Sequence, residues 1–182
     1  MKKMRLREKP DALPVSGRRN FFSLHFIRLS VQKRIGGELF QEKSCGAVVF
    51  NKNAEVEYLL LRYEAGHWDF VKGNVEPNES ETDTVMRELK EETGIADAKF
   101  VDGFKRKIEY FYRRQGSTIH KQVIFFLIEA HTRQVELSYE HVGYEWLNYN
   151  RSMEKLTFKN AKDVLRESHS FLLAQGIIDR SE

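Results

Sequence analysis

The stretch GNVEPNESETDTVMRELKEETGI at residues 73–95 decides the fold, because it predicts one helix with a defined start and stop. We expect the helix to span residues 79–93. Asn78 is a good N-cap, and Glu81, three residues later, could complete a capping box. Gly94 suits the position that follows the last helical turn. The stretch therefore predicts a helix that is closed at both ends.

The predicted helix carries an unusual density of carboxylates, namely Glu79, Glu81, Asp83, Glu88, Glu91 and Glu92. Glu88, Glu91 and Glu92 have i, i+3, i+4 spacing and share one helical face. Like charges at these spacings repel one another, and Arg87 can pair with only part of the cluster. Mg²⁺ and Mn²⁺ prefer carboxylate oxygens, so a divalent cation would offset the repulsion. Taken alone, the cluster leaves a solvated acidic face as an equal alternative.

The spacing around these carboxylates is much more specific than the carboxylates themselves. From Gly73 the chain reads Gly, five residues, Glu79, seven residues, Arg87-Glu88-Leu89, one residue, Glu91-Glu92, one residue, Gly94-Ile95. This pattern resembles the signature of the Nudix hydrolase superfamily at every defined position. The resemblance implies an α+β fold, an αβα sandwich with a mixed β-sheet. It also implies an enzyme that cleaves phosphoric anhydride bonds with metal-activated water.

The same resemblance implies a role for each residue of the signature. The expected metal site comprises Gly73, which turns the chain, and the ligands Glu88, Glu91 and Glu92. Glu79 and Arg87 are expected to support the helix and orient its carboxylates. Glu88 is the first candidate for the catalytic base, with Glu92 and Glu140 as rivals. The expected cofactor is Mg²⁺, for which Mn²⁺ can substitute.

Beyond the signature, residues 44–173 resemble the asymmetrical diadenosine tetraphosphate hydrolases, which release ATP and AMP. The matching stretches are 67–68, 72–77, 103–106, the region of Tyr110, Lys121 with the strand after it, 137–141, 144–147 and 158–159. By position, the resemblance implies that the polyphosphate contacts are His67, Lys72 and Lys121, and that the adenine-stacking residues are Tyr110 and Tyr144. It places Glu140 near the metal. The alternatives are a surface histidine at 67 and tyrosines that only pack.

Strand-like and helical patterns surround the signature. We expect strands at 44–50 and 56–63 as a hairpin, an extended segment at 68–75, strands at 98–113, 119–131 and 144–147, and a helix at 159–175. Strands on both sides of a central helix favour an α+β or αβα-sandwich domain with a mixed sheet. This domain is expected at 43–176, between a basic, flexible N-terminal extension at 1–42 and a tail at 177–182.

The composition excludes several classes of protein. A hydrophobic content of 41% over 182 residues supports a packed core rather than disorder. Residues 1–42 hold ten Lys or Arg and four Asp or Glu, whereas the whole chain carries only +3, so the remainder has a net charge of −3. The basic charge is thus poor support for nucleic-acid binding by the folded body. No apolar stretch is long enough to span a membrane, and the single Cys45 suggests a reducing compartment, so we expect a cytoplasmic protein.

Three functions stay open at this point. The first is hydrolysis of a small dinucleoside polyphosphate. The second is the same chemistry on an RNA 5′ end or a nucleoside triphosphate, for which the basic, aromatic stretch at 105–114 could bind RNA or line a phosphate groove. The third is a non-catalytic nucleotide sensor with the same fold. The sequence leaves the oligomeric state open.

Overall fold

A mixed sheet of eight strands carries three helices in the computed structural model, which describes residues 33–34, 39–52 and 55–179. The strands are β1 (Lys33–Arg34), β2 (Leu39–Asn51), β3 (Glu57–Tyr63), β4 (Trp68–Asp69), β5 (Val71–Asn74), β6 (Ala98–Arg114), β7 (Ser117–Ala130) and β8 (His141–Leu147). The helices are α1 (Glu81–Thr93), α2 (Tyr149–Lys155) and α3 (Lys159–Ala174). Residues 1–32 and 35–38 of the predicted N-terminal extension lie outside the described residues.

The sheet is mixed because β2 and β7 run parallel while their other neighbours are antiparallel. The main strand order is β4-β3-β2-β7-β6, with β1 and β5 also paired to β2 and β8 paired to β3. The parallel register runs from Leu39 opposite Thr118 to Phe50 opposite Glu129. β6 and β7 form a long antiparallel hairpin, as the sequence predicts. The predicted hairpin between the first two long strands is confirmed by the pairing of β2 with β3.

Strand β2 is apolar on both faces because a helix covers each of them. Val48 and Phe50 pack in a core that includes the buried side of α3. Cys45, Ala47 and Val49 pack in a second core that includes the buried side of α1. This arrangement confirms the predicted αβα sandwich. Burial raises the pKa of the free Cys45 thiol to about 11, so the thiol is a structural part of the core.

Helix α1 begins two residues later than predicted. Its N-cap is Ser80, whose hydroxyl accepts a hydrogen bond from the Asp83 amide, while the Asp83 carboxylate accepts one from the Ser80 amide. The predicted N-cap Asn78 and its capping box with Glu81 are therefore wrong. Asn78 has a φ of 69°, and an N-cap residue requires the extended region instead. Glu79 consequently lies in the loop before the helix, whereas Gly94 ends the helix as predicted.

The sheet begins before the predicted domain start at residue 43. Residues 39–42 belong to β2, because they pair with residues 118–121 of β7. At the other end, Ile178 is buried in the core, although the sequence assigns it to a tail. The sequence also misses α2, which begins after the N-cap Asn148. None of the helices in the described part of the chain is long and apolar enough to cross a membrane.

Candidate active site

A cleft of about 1440 Å³ opens where β5, the hairpin β6–β7, helix α1 and the segment before β8 meet. The predicted site residues that line it are His67, Lys72, Gly73, Glu88, Glu91, Glu92, Tyr110, Lys121 and Glu140. The antiparallel pairing of β5 with β2 carries the loop that follows Gly73 to the rim of the cleft. The fold therefore brings residues from distant parts of the sequence into one cleft.

One part of the cleft is lined by four carboxylates, here called the acidic cluster: Glu88, Glu91, Glu92 and Glu140. Glu92 is 4% exposed, and Glu91 is the most exposed of the three on α1. Burial raises the pKa of Glu92 well above its usual range, and the neighbouring charge of Glu88 adds to this effect. Burial also raises the pKa of Glu88, although Arg87 opposes the rise. A buried carboxylate with a second carboxylate as its neighbour requires a proton or a cation to be stable.

The acidic cluster fits a hard divalent cation by its chemistry. Carboxylate oxygens are the ligands that such ions prefer, and the cation would supply the charge that the buried pair lacks. Among the described residues, no three His, Cys, Asp or Glu side chains stand close enough together to hold a metal ion.

The carboxylate of Glu88 packs directly against the backbone of Gly73. A Cβ atom at residue 73 would overlap the Glu88 carboxylate. Arg87 also donates a hydrogen bond of 2.6 Å to Glu88 Oε1, which limits how far that carboxylate can retreat. The glycine of the signature is thus needed for the position of Glu88.

Replacing Gly73 with Ala should lower turnover by roughly a hundredfold, because the added Cβ displaces Glu88 from the acidic cluster. The free energy of unfolding should fall by about 1–3 kcal/mol, because Glu88 must shift to make room even though Gly73 does not have a positive φ. Steady-state kinetics and urea unfolding measure both effects. Gly143→Ala is the matched control, because a Cβ there meets only Arg62 Cβ at 3.8 Å. Equal activities of the two variants would contradict the role given to Gly73.

Arg87 lies behind the acidic cluster and binds four groups. Its Nε donates to Glu79 Oε1 at 2.6 Å, and one terminal nitrogen donates to Glu88 at 2.6 Å and to Glu91 at 3.2 Å. The other terminal nitrogen donates to the Asn74 carbonyl and to Glu79 Oε2, each at 3.0 Å. Hydrogen bonds from Arg87 lower the pKa of Glu79 to about 2. Arg87 therefore ties the loop before α1 to the carboxylates on the helix.

Two lysines also line the cleft, and the backbone amide of Lys72 donates a hydrogen bond of 3.3 Å to Glu92 Oε2. Lys72 Nζ contacts Asp69 Oδ2 and the Tyr63 hydroxyl, both at 3.0 Å. Lys121 Nζ donates to Asn74 Oδ1 at 2.6 Å and to Glu42 Oε2 at 3.3 Å. Both ammonium groups are thus held in place by oxygens of the protein. They add two positively charged groups, here called the basic part, to the cleft that holds the acidic cluster.

Aromatic rings form the third part of the cleft. Tyr110 and Phe158 both line it, and Phe158 is 45% exposed. His67 stacks on Tyr63 with a centroid distance of 4.5 Å and lies 5.2 Å from the Phe158 ring. Burial lowers the pKa of His67, and Lys72 lowers it further, so the imidazole is neutral near pH 7.

Tyr144, the second tyrosine expected to stack on adenine, is not among the residues that line this cleft. It lies opposite Leu61 of β3, and Leu61 is buried in the core beneath α1. Opposite residues of paired strands point to the same face of a sheet. Tyr110 instead packs against the other core. The register of β8 therefore separates the two tyrosines that the sequence pairs as adenine-stacking residues.

Sequence reasoning missed His141, to which it assigns no role. This residue is 5% exposed, and its ring meets Tyr63 edge-on at 4.4 Å. His141 Nε2 lies 3.8 Å from Glu92 Oε1 and has no hydrogen-bond partner among the described residues. Burial lowers the pKa of His141 to about 4, with Lys72 as a lesser cause. No spacing in the sequence indicates this neighbour of Glu92, because β8 and α1 meet only in the fold.

Known proteins match the chain over this sheet and its cleft. A family model described as the NUDIX domain matches residues 41–167. The asymmetrical bis(5′-nucleosyl)-tetraphosphatase of Mus musculus is 36% identical over 143 residues, covering 71% of this chain and 95% of that protein. The Sus scrofa protein of the same description is 36% identical over 147 residues, covering 74% and 97%. A crystal structure of a C. elegans Ap4A hydrolase binary complex superposes with a TM-score of 0.66 and 28% identity, covering 73% of this chain and 98% of that one.

Proposed function

The chain belongs to the Nudix family of hydrolases, and we propose that it cleaves diadenosine tetraphosphate asymmetrically, to ATP and AMP. The observation that carries this proposal is that one cleft joins the acidic cluster, two lysines and exposed aromatic rings. Four linked phosphates between two adenosines require these three kinds of contact in one site. The identity of 36% to asymmetrical tetraphosphatases over most of the sheet supports the same substrate.

We assign substrate contacts by the chemistry of the cleft. Lys72 and Lys121 would bind phosphate oxygens, which would compete with the protein oxygens that now hold both ammonium groups. The neutral imidazole of His67 can donate one hydrogen bond to a phosphate. Tyr110 and Phe158 offer ring faces to adenine, at about 1–3 kcal/mol per stacked base. Tyr144 has no part in this assignment.

The metal site would use the carboxylates of α1. We propose Mg²⁺ as the cofactor, with Mn²⁺ as a substitute, held by Glu88, Glu91 and Glu92 beside Gly73. A bound ion would neutralise charge on the phosphates and acidify the attacking water. Glu88 is the proposed acceptor of the water's proton, because its carboxylate lines the cleft and is held against Gly73 within the acidic cluster. Glu92 and Glu140 are its rivals for this role, and Glu79 and Arg87 fix the position of Glu88.

Product analysis in ¹⁸O-labelled water tests the proposed reaction. We expect ATP and AMP in equal amounts from diadenosine tetraphosphate, with one ¹⁸O atom in one of the two products. The position of the label identifies the phosphorus atom that water attacks. Two molecules of ADP would instead show symmetrical cleavage and contradict the proposal.

The same assay separates the alternative functions. A capped RNA, a 5′-triphosphorylated RNA and a nucleoside triphosphate should all be poorer substrates than the dinucleotide. If the dinucleotide is the poorest, the proposed specificity is wrong and the enzyme acts on another of these compounds. Binding without hydrolysis of any of them, in the presence of Mg²⁺ or Mn²⁺, would identify a nucleotide sensor.

We also propose a cytoplasmic location, supported by the buried free thiol of Cys45, which suits a reducing compartment. Cell fractionation of the full-length chain tests this proposal. Recovery mainly with membranes or in an oxidising compartment would contradict it.

A further inference from the structure

We propose that Glu42 is a positioning residue for Lys121, so that the first residues of β2 form part of the substrate site. The inference rests on the proposed function, in which Lys121 binds the polyphosphate. Glu42 precedes the predicted start of the domain, and no signature points to it. Its relevance comes only from the parallel register, which sets Glu42 directly opposite Lys121.

The carboxylate of Glu42 is buried among groups of the hairpin β6–β7. Glu42 is 3% exposed, and its oxygens accept from Tyr112 Oη at 2.8 Å, Lys121 Nζ at 3.3 Å and Arg114 at 2.6 Å. Burial alone would raise the pKa of Glu42, but Tyr112 and the two cations lower it below its usual value. Glu42 is therefore an anion placed against the wall of the cleft, since Tyr112 and Lys121 both line that cleft.

Lys121 is held from two sides. Its second acceptor is Asn74 Oδ1 at 2.6 Å, which also accepts from Ser44 Oγ at 2.9 Å. A lysine side chain has a flexible four-carbon stem and loses much rotamer freedom when it is fixed. Glu42 on one side and Asn74 on the other offset this loss before a substrate arrives. Burial lowers the pKa of Lys121, and the charge of Glu42 opposes that effect.

A purely structural role for Glu42 makes a different prediction. If Glu42 only joined β2 to the hairpin, its loss would lower stability without a specific link to Lys121. If Glu42 positions Lys121, the effects of changing the two residues on substrate binding must be coupled. The coupling, rather than the loss itself, distinguishes the two roles.

A double-mutant cycle on the full-length chain tests the inference, with diadenosine tetraphosphate and Mg²⁺ in the assay. We expect Glu42→Gln to raise KM about tenfold with kcat within about twofold, as for loss of one charge-assisted contact. In a Lys121→Ala background, the same change should have almost no further effect on KM. Glu109→Gln, an exposed carboxylate on the outer part of the hairpin, is the matched control and should leave KM unchanged. Thermal unfolding accompanies each variant.

The outcomes separate this inference from the proposed function. If Lys121→Ala leaves KM unchanged, the proposed phosphate role of Lys121 fails and the inference fails with it. If Lys121→Ala raises KM but Glu42→Gln leaves KM unchanged or lowers it, only the inference is overturned. Additive effects of the two changes on KM in the double variant also overturn the inference. If Glu42→Gln does not fold, Tyr112→Phe decides instead, because it removes one hydrogen bond and keeps the carboxylate. If Tyr112→Phe raises KM in the wild type but not in the Lys121→Ala background, the inference is supported. If Tyr112→Phe leaves KM unchanged in the wild type, the inference is overturned.

Discussion

Replacing Glu92 with Gln should lower turnover roughly a thousandfold, a loss of about 4 kcal/mol of transition-state stabilisation. Glu92 is the most deeply buried carboxylate of α1, and a neutral amide there is a poor ligand for a hard cation. The apo protein should keep its fold and its melting temperature should stay equal or rise, because the change removes a buried charge beside Glu88. Steady-state kinetics at saturating Mg²⁺ and thermal unfolding measure the two effects.

Glu154→Gln is the matched control for this variant. Glu154 is an exposed residue of α2, so the same chemical change there should alter neither rate nor stability. Isothermal titration calorimetry with Mn²⁺ measures metal affinity without relying on turnover. Glu92→Gln should lower the affinity for this ion. A well-folded Glu92→Gln variant with a near-normal rate would show that Glu92 is not a metal ligand.

Replacing Arg87 with Met should destabilise the fold by about 3 kcal/mol and also reduce turnover. Arg87 is largely buried and pairs with Glu79 and Glu88, so its loss leaves both carboxylates without their main partner. Urea unfolding gives the change in stability. Arg166→Met serves as the control, because Arg166 pairs with Asp163 on the exposed side of α3. Equal losses of stability in the two variants would contradict the supporting role of Arg87.

The stability difference between the wild type and Arg87→Met should depend on pH in a defined direction. Arg87 lowers the pKa of Glu79 to about 2 in the folded state, below its ordinary value of 4.5. A carboxylate whose pKa is lowered by folding stabilises the fold fully at pH values above its pKa in the unfolded chain. This contribution is lost as the pH falls through its pKa in the folded chain. The difference should therefore be largest above about pH 4.5 and shrink towards pH 2. A difference that grows on acidification would show that the pair does not act through charge.

Features that depend on local spacing could be predicted from the sequence, whereas features that depend on long-range pairing could not. The face shared by Glu88, Glu91 and Glu92 follows from helical periodicity alone, and Gly94 ends the helix as predicted. The predicted start of α1 was wrong because Asn78 has a left-handed backbone conformation. An asparagine permits this conformation but does not require it.

The basic and aromatic parts of the cleft show the limit of such reasoning most clearly. The register of β8 with β3 sets the face of the sheet on which Tyr144 lies. A shift of one residue in this register would place Tyr144 on the opposite face. Glu42 reaches Lys121 across 79 residues of sequence, so nothing near either residue indicates the other. Phe158 has a solvent-exposed ring whose place in the cleft depends on how the chain enters α3.

The parallel pairing of β2 with β7 also has a consequence for the order of folding. A hairpin such as β6–β7 closes a short loop, whereas β2 must find β7 across most of the domain, and distant pairings form slowly. The turns and caps of helix α1 require only neighbouring residues to take shape. We therefore expect helix α1 to form early and the contact between Glu42 and Lys121 to form late. A nascent chain would thus form the helix that carries Glu88, Glu91 and Glu92 before the contact that holds Lys121 in place.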